Sequence, residues 1–341
     1  MELSSRVVEL ELEEPFVIAR GTETVVEVVQ VEVRGGGEVG YGEAAPIERY
    51  DESAASALEY LEAAAPSIGD DPFALDEIFE RLPREQFAAR AALDAALHDL
   101  CGRIAQLPVW RMLGLRRGGP PTSWTITLGE PDAMARAAER ADDGRFRRLK
   151  LKLGGRDGLD VERVRAVREA TQLPLQVDVN EYWSVDEALD AIPQLAELGV
   201  EYCEQPLPAG DAGAAELKNG SPLPIYLDED CHTLADVASC AERAHGINIK
   251  LAKSGGIREA VRMAHAARAL DLGVMLGCMI ESGLGISAAC QIASLCDHVD
   301  LDGNLLLADD PRPGVELVDG IQLPPDAPGL GVDGEAVPDP R

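Results

Sequence analysis

The sequence predicts an α/β fold: a parallel sheet of eight βα units closed into a barrel, preceded by a compact α+β unit. Three observations carry that expectation. After about residue 120, eight short apolar runs appear: TSWTITLG, RRLKLKLG, PLQVDVN, VEYCEQPL, PIYLDED, INIKLAK, GVMLGCMI and HVDLDGN. Ala-rich amphipathic stretches separate them clearly, except between the last two, and such alternation implies a parallel sheet that closes at eight units. The second observation is spacing. Lys152 to Asp178 is 26 residues, Asp178 to Glu204 is 26, Glu204 to Asp228 is 24 and Asp228 to Lys253 is 25. One charged residue thus recurs at the C-terminal end of each successive strand, and those ends converge on the face of a barrel where active sites lie. The third is a change of texture, because this rhythm is missing before residue 120.

Residues 1 to about 45 alternate and are rich in Val and Glu, in VVELELEEPFVIARG and TVVEVVQVEVRGGGEVGYGEA. They read as an antiparallel meander broken at Gly-rich turns. From Glu52 to about Leu115, apolar residues recur every three or four positions. AARAALDAALHDLCGRIAQLPV is a helical segment of this kind, expected to close at Gly102 and Pro108. The expected organisation is an α+β unit over 1–118, the barrel over 119–308, and a Pro-, Gly- and Asp-rich tail over 309–341 that returns to the first unit. At 341 residues with 46% hydrophobic positions, the chain is long enough to bury a large core.

Asp and Glu total 61 against 31 Lys and Arg, a formal net charge of −30. A surface that negative repels phosphate backbones and anionic lipid, so nucleic-acid and membrane partners are not expected. Met1 is followed by Glu2 rather than a basic, apolar leader, and the seven cysteines are scattered without a CxxC pair. Those features point to a cytoplasmic protein with reduced thiols. The sequence leaves room for a homo-oligomer without giving its size. Only five of the 31 basic residues are lysines, and Arg-for-Lys exchange at net charge −30 resembles a salt-adapted surface. Stability is expected to rise with molar KCl as self-repulsion is screened. A melting temperature that stays flat or falls between low and molar KCl contradicts that reading.

Four of the lysines, Lys150, Lys152, Lys250 and Lys253, sit inside apolar segments where surface charge is out of place. In RRLKLKLGG, strand alternation puts Lys150 and Lys152 on one face and Leu149, Leu151 and Leu153 on the other. Helices cover the outside of a parallel barrel, so the lysine face is the interior. Two ammonium groups held close are expected to depress each other's pKa, freeing one amine to act as a base. Asp178, Glu204 and Asp228, in VDVN, CEQP and LDED, end three successive apolar runs. Three converging carboxylates need a cation, and hard oxygen donors from separate strand ends suit Mg2+. Lys253 ends the sixth run, diametrically opposite the second, so it is expected to face Lys152 across the pore. Lys250, at an odd offset of three, is expected to point away from Lys253. Two opposed amines over a carboxylate-held metal suit removal of a proton α to a carboxylate and return of a proton on the opposite face.

Together KLKLGG, DVN, CEQP, LDED, KLAKSGGI and GCMIES make the whole chain resemble the muconate-lactonizing subgroup of the enolase superfamily. A Lys base beside Mg2+ is that superfamily's known chemistry. The resemblance implies a modified TIM barrel, (β/α)7β, with an α+β capping domain formed by the N-terminal third and the C-terminal tail. It also implies Mg2+ on Asp178, Glu204 and Asp228, Lys152 and Lys253 as the acid/base pair, and Lys150 at the substrate carboxylate. Asp300 and Asp302 in HVDLDGN share a face, where a carboxylate pair suits an ammonium group. This DxD resembles the signature of the dipeptide epimerases, which hold the N-terminal amine of a dipeptide. PFVIARGTET and PIERYDES resemble the two capping loops of alanyl-glutamate epimerases, making Arg20 a candidate partner for an acidic second side chain. Thr125, Cys278, Met279 and Ile280 match positions that contact the dipeptide in that family.

One departure is Asp230, where the family commonly carries Ser; an extra acid there either alters metal affinity or points away. The implied function is a Mg2+-dependent isomerase that inverts the α-carbon of the C-terminal residue of a dipeptide, L-Ala-D/L-Glu or related. Two-lysine 1,1-proton transfer through an enediolate is the implied route. A lyase or cycloisomerase of the o-succinylbenzoate synthase or muconate cycloisomerase type shares the lysines and the metal triad but has no use for the acidic pair. A barrel that binds without catalysis leaves the filled lysine and carboxylate positions without a purpose.

Overall fold

The alternating Val/Glu runs form a three-stranded antiparallel sheet of β1 (Glu2–Ile18), β2 (Gly21–Gly35) and β3 (Glu38–Ala44). The structure is a computed structural model describing residues 1–332, so the end of the tail, expected to 341, lies outside the described residues. The pairing of β1 with β2 shifts register between Glu11 and Phe16. Pro15 falls in that gap on an edge strand, where a missing N–H is tolerated. Beyond the shift, Phe16 and Ile18 line the cavity described below.

Four helices follow: α1 (Ala54–Ala64), α2 (Leu75–Arg81), α3 (Phe87–Ala105) and α4 (Val109–Met112). Helix α3 is buried from Ala88 to Gly102 on every face, and its buried polar side chains find partners, Asp99 pairing with Arg103 and Arg90 donating to Pro83 O. Its Leu93, Leu97 and Leu100 join Val29, Val31 and Val33 of the sheet, while Ala91 and Ala95 belong to the barrel core. Gly102 does not close this helix. It continues to Ala105, and Gln106 caps it in the left-handed conformation. Gly102 instead marks a close approach, because a Cβ there would stand 2.6 Å from Gly329 Cα. The returning tail lies against that point, with Gly329 N–H donating to Leu107 O at 3.0 Å and Leu330 N–H to Asp99 Oδ1 at 2.6 Å.

The eight apolar runs form eight parallel strands in sequential order: β4 (Trp124–Ile126), β5 (Leu149–Lys152), β6 (Leu175–Asp178), β7 (Val200–Glu204), β8 (Ile225–Leu227), β9 (Gly246–Ile249), β10 (Gly273–Gly277) and β11 (His298–Asp300). A bridge between Thr122 and Val299 brings the first and last together. Between strands run α5 (Pro131–Ala141), α6 (Asp160–Ala170), α7 (Val185–Glu197), α8 (Ala214–Gly220), α9 (Val237–Arg243), the paired α10 (Leu251–Ser254) and α11 (Ile257–Ala269), and α12 (Gly283–Cys290). Among the described residues a 3-10 turn, Gly303–Leu306, stands after β11 where an eighth helix would follow, so the barrel is of the (β/α)7β type. A short hairpin of β12 (Glu316–Val318) and β13 (Ile321–Leu323) precedes the returning segment that holds Gly329 and Leu330.

Helix α12 was not legible in the sequence. Its GLGISAAC is buried at all eight positions and carries no polar face to set a period. Ser282 caps it by accepting from Leu284 N–H. Inside the barrel, Tyr202, Tyr226 and Met275 form a floor. Gly246 and Gly273 make room for it, since a Cβ at either would stand within 2.3 Å of Tyr226. The filled floor confines the polar chemistry to the C-terminal end of the strands. Among the described residues, no helix is long and apolar enough to cross a membrane.

Candidate active site

A cavity of about 700 Å3 opens between the C-terminal ends of the barrel strands and the N-terminal sheet. The barrel contributes Thr125, Lys150, Lys152, Asn180, Lys250, Cys278, Met279, Ile280, Asp300 and Asp302 to its wall. Phe16, Ile18, Arg20, Val25, Ile47 and Arg49 approach from the first unit. Thr125, Cys278, Met279 and Ile280, singled out by resemblance alone, therefore all border this space.

All four residues of LKLK are buried, with the leucines packed against the outer helices and the lysines turned inward. Lys150 Nζ lies 2.6 Å from Asp300 Oδ2, 2.7 Å from Glu204 Oε2 and 3.4 Å from Asp178 Oδ2. Lys152 Nζ donates to Asp178 Oδ2 at 2.7 Å. The expected mutual depression does not govern Lys150. Burial pulls its pKa down, but Asp300, Glu204 and Asp178 outweigh that and raise it well above the ordinary lysine value. Conversely, burial pushes the Asp178 carboxyl up, and Lys152 and Lys150 reverse this, holding it well below the usual range.

The sixth unit departs from the expectation. Strand β9 stops at Ile249, Lys250 is the N-cap of the one-turn helix α10, and Lys253 lies within that helix. Period-two alternation ends there, and residues three apart on a helical turn share a side. Both amines therefore reach Asp228: Lys250 Nζ donates to Oδ2 at 2.7 Å and Lys253 Nζ to Oδ1 at 2.6 Å. Lys253 is fully buried and also donates to Asp228 O at 2.6 Å and Asn248 O at 2.8 Å, so all three of its protons are engaged. Lys250 borders the cavity and Lys253 does not. The expected facing of Lys152 and Lys253 is thus corrected, and Lys250 is the amine on the opposite wall.

Asp178 and Glu204 are the last residues of β6 and β7, and Asp228 follows β8 directly. Among the described residues, no three His, Cys, Asp or Glu side chains gather as a ready-made metal cluster. Lysine ammonium groups engage the three carboxylates instead. The donor chemistry nevertheless fits a hard cation. Glu204 Oε2 is buried and receives no hydrogen bond, Lys150 Nζ being close but misaligned, and Asn180 Oδ1 and Asn248 Oδ1 are likewise without a donor. Buried oxygen acceptors left unpaired are costly, and oxygen-only donor sets are what Mg2+ takes.

Asp300 ends β11, and Asp302 begins the turn after it. Asp302 Oδ2 accepts from Thr125 N–H at 2.7 Å, while Asp300 Oδ1 is buried without a donor. Burial, and then the neighbouring Asp300 charge, raise the Asp302 carboxyl to about 7. Arg20 sits at the β1–β2 turn, where its Nη1 donates to Glu229 Oε1 at 2.7 Å. Asp230 points away from the cavity chemistry and ties loops together, pairing with Arg243 at 2.5 Å and accepting from Gln205 Nε2 at 2.7 Å. Sequence reasoning missed Asn180, Glu181, Glu229 and Asn248. For Lys250 the signal was present, as a retained lysine in a Lys-poor, apolar segment.

An acid-and-lysine rim on a (β/α)7β barrel, roofed by an antiparallel sheet, defines an enolase-type enzyme. The chain belongs to the enolase superfamily. Residues 2–114 match the mandelate racemase/muconate lactonizing enzyme N-terminal domain, and residues 132–336 match the enolase C-terminal domain-like family. Within that class it is strongly similar to dipeptide epimerases. The L-Ala-D/L-Glu epimerase of Bacteroides thetaiotaomicron is 40% identical over 95% of this chain and 85% of its own. A hydrophobic dipeptide epimerase of a Flavobacteria bacterium is 36% identical over 97% of both. The crystal structure of a dipeptide epimerase from Enterococcus faecalis, complexed with Mg and L-Leu-L-Tyr, superposes with a TM-score of 0.93 at 33% identity, over 98% of this chain and 99% of that one.

Proposed function

We propose that the protein is a Mg2+-dependent dipeptide epimerase that inverts the α-carbon of the C-terminal residue, with Lys152 and Lys250 as its two bases. One observation carries the choice within the superfamily: the buried pair Asp300 and Asp302 borders the same cavity as both lysines, and Asp300 Oδ1 has no donor. A dipeptide's ammonium group supplies that donor and neutralises the pair; an amine-free diacid does neither. Asp178, Glu204 and Asp228 would hold the metal, which when bound supplies positive charge that acidifies the proton α to a carboxylate.

The protein's own groups do the rest. Lys150 adds a fixed charge beside the metal carboxylates. Lys152 ends the second barrel strand and Lys250 follows the sixth, so the two amines approach Cα from opposite sides. One amine takes the Cα proton, the C–H electrons pass into the carboxylate, and the other ammonium returns a proton to the opposite face. Phe16, Ile18 and Ile47 line the cavity from the cap and give the reacting carbon an apolar wall. The test is incubation with a dipeptide panel, L-Ala-L-Glu included, in D2O. One deuterium is expected at Cα of the second residue, together with the inverted isomer. Turnover of an amine-free diacid with no exchange in any dipeptide overturns the reading.

The acidic pair also sets a pH dependence. Asp302 titrates near 7, so in the free enzyme it is protonated below that pH and the pair loses one of its two charges. The expected profile of kcat/KM falls as pH drops through about 7. The same limb moves to lower pH in kcat, because a bound ammonium favours the ionised acid. Asp302→Asn keeps an acceptor for Thr125 N–H but removes the charge. A charge-assisted bond of ~2 kcal/mol corresponds to a KM raised about 30-fold. A pH-independent kcat/KM, or an unaltered KM in that variant, counts against amine recognition.

A further inference from the structure

Two loops of the N-terminal unit roof the cavity: the β1–β2 turn carrying Arg20, and the segment before α1 that carries Pro46, Ile47, Glu48 and Arg49. Both reach the same barrel side chain. Arg49 grips Glu181 with two parallel bonds, Nε to Oε2 at 2.7 Å and Nη2 to Oε1 at 2.8 Å. Arg20 Nη1 adds a contact to Glu181 Oε2 at 3.3 Å, and Ala209 N–H donates to Oε1 at 2.9 Å. Resting on the reading of the site as a dipeptide epimerase, we infer that Glu181 is the shared anchor that holds both roofing loops over the barrel, and so sets how tightly and selectively the second residue of the dipeptide is held.

Glu181 is suited to this task by its place in the chain. It lies three residues beyond Asp178, in the loop leaving β6. Asn180 and Glu181 both have positive φ, 51° and 76°, a conformation non-glycine residues adopt only where their surroundings insist on it. Glu181 N–H donates to Gln205 O at 2.9 Å, which fixes this bend to the loop after β7. The carboxylate thus stands on rigid barrel backbone while both of its arginine partners come from the cap. Its side chain is 12% exposed, so its ion pairs are less screened than ordinary surface pairs. Among the described residues, Glu229 hydrogen-bonds to Arg20 and reaches Arg49 through charge alone, and the stack of Tyr50 on His232, centroids 4.6 Å apart, engages the segment before α1 without Arg20.

Glu181 is a positioning residue, and its removal should loosen both loops together without touching the proton-transfer groups. The variants Glu181→Gln and Arg49→Gln test this in two measurements. In the substrate-free protein, hydrogen–deuterium exchange of amides 19–22 and 47–52 should accelerate in Glu181→Gln, with α3 unchanged; Arg49→Gln should accelerate 47–52 alone. In turnover, Glu181→Gln should raise the dipeptide KM about tenfold with kcat within about threefold of wild type, and flatten the preference among second residues. Unaltered exchange of both loops in the two variants, or a fall in kcat at constant KM, overturns the inference. If Glu181→Gln does not fold, accelerated exchange at 47–52 in Arg49→Gln supports the anchor, and unchanged exchange there refutes it. Wild-type protein inactive on every dipeptide defeats the proposed function, whereas loop exchange still decides the anchor.

Discussion

Lys250→Ala is expected to abolish epimerisation, by ~10^3-fold or more, while α-proton exchange of one stereoisomer survives in part through Lys152. Lys152→Ala should give the mirror pattern, with the other isomer surviving. Each amine serves one face of Cα, so interconversion needs both and exchange needs only one. Lys253→Ala should behave differently from either. Its ammonium fills three buried bonds, to Asp228 O, Asp228 Oδ1 and Asn248 O, and truncation leaves buried acceptors unpaired. Such a loss costs about 3 kcal/mol or more, so the expected effect is a marked drop in melting temperature. Proton NMR in D2O with the L,L and L,D isomers separates the cases, alongside thermal melts. A fully active Lys250→Ala beside a stable Lys253→Ala that has lost one isomer would return the second base to Lys253.

Asp178→Asn should remove exchange of both isomers together, by about four orders of magnitude. Asp178 is the carboxylate that Lys152 meets at 2.7 Å and Lys150 at 3.4 Å, and it belongs to the oxygen set suited to the metal. Losing it weakens cation binding, which both proton transfers require equally. A second readout is independent of turnover. Mg2+ that binds only the folded protein raises its melting temperature, by a few degrees at saturation, and chelation reverses the gain. Asp178→Asn should blunt that response. Retention of exchange in a single isomer would assign Asp178 to one base rather than to the metal.

Much of the site was legible because its information is local. Strand period places Lys150 and Lys152 inward without knowledge of any neighbour, and a near-regular spacing of 26 and 24 residues puts Asp178, Glu204 and Asp228 at one end of successive strands. The i, i+2 pair Asp300 and Asp302 was readable for the same reason, as were the eight apolar runs that became eight strands. Local reading failed wherever the period changed unseen. At KLAKSGG the strand gives way to a helical turn after Ile249, which moves Lys250 and Lys253 to one side and reverses which amine meets the cavity. In GLGISAAC a helix buried on every face has no amphipathic rhythm to read.

Other features depend on partners far away in the chain, which no window of sequence contains. Gly102 looked like a helix end because glycine usually is one, and only the returning Gly329 explains its presence inside α3. Asp230 looked like a surplus acid beside the metal carboxylates until Arg243 and Gln205 were seen to claim it. Glu181 carried no signal at all, since its meaning lies in two arginines 132 and 161 residues away. By itself the sequence determined which carboxylates and lysines of the regular strands, such as Lys150 and Lys152, gather at the barrel's interior and what chemistry they carry. The tertiary structure decided which amine meets the cavity and what holds the roof over it, because both depend on where a strand stops and on contacts between segments remote in the chain.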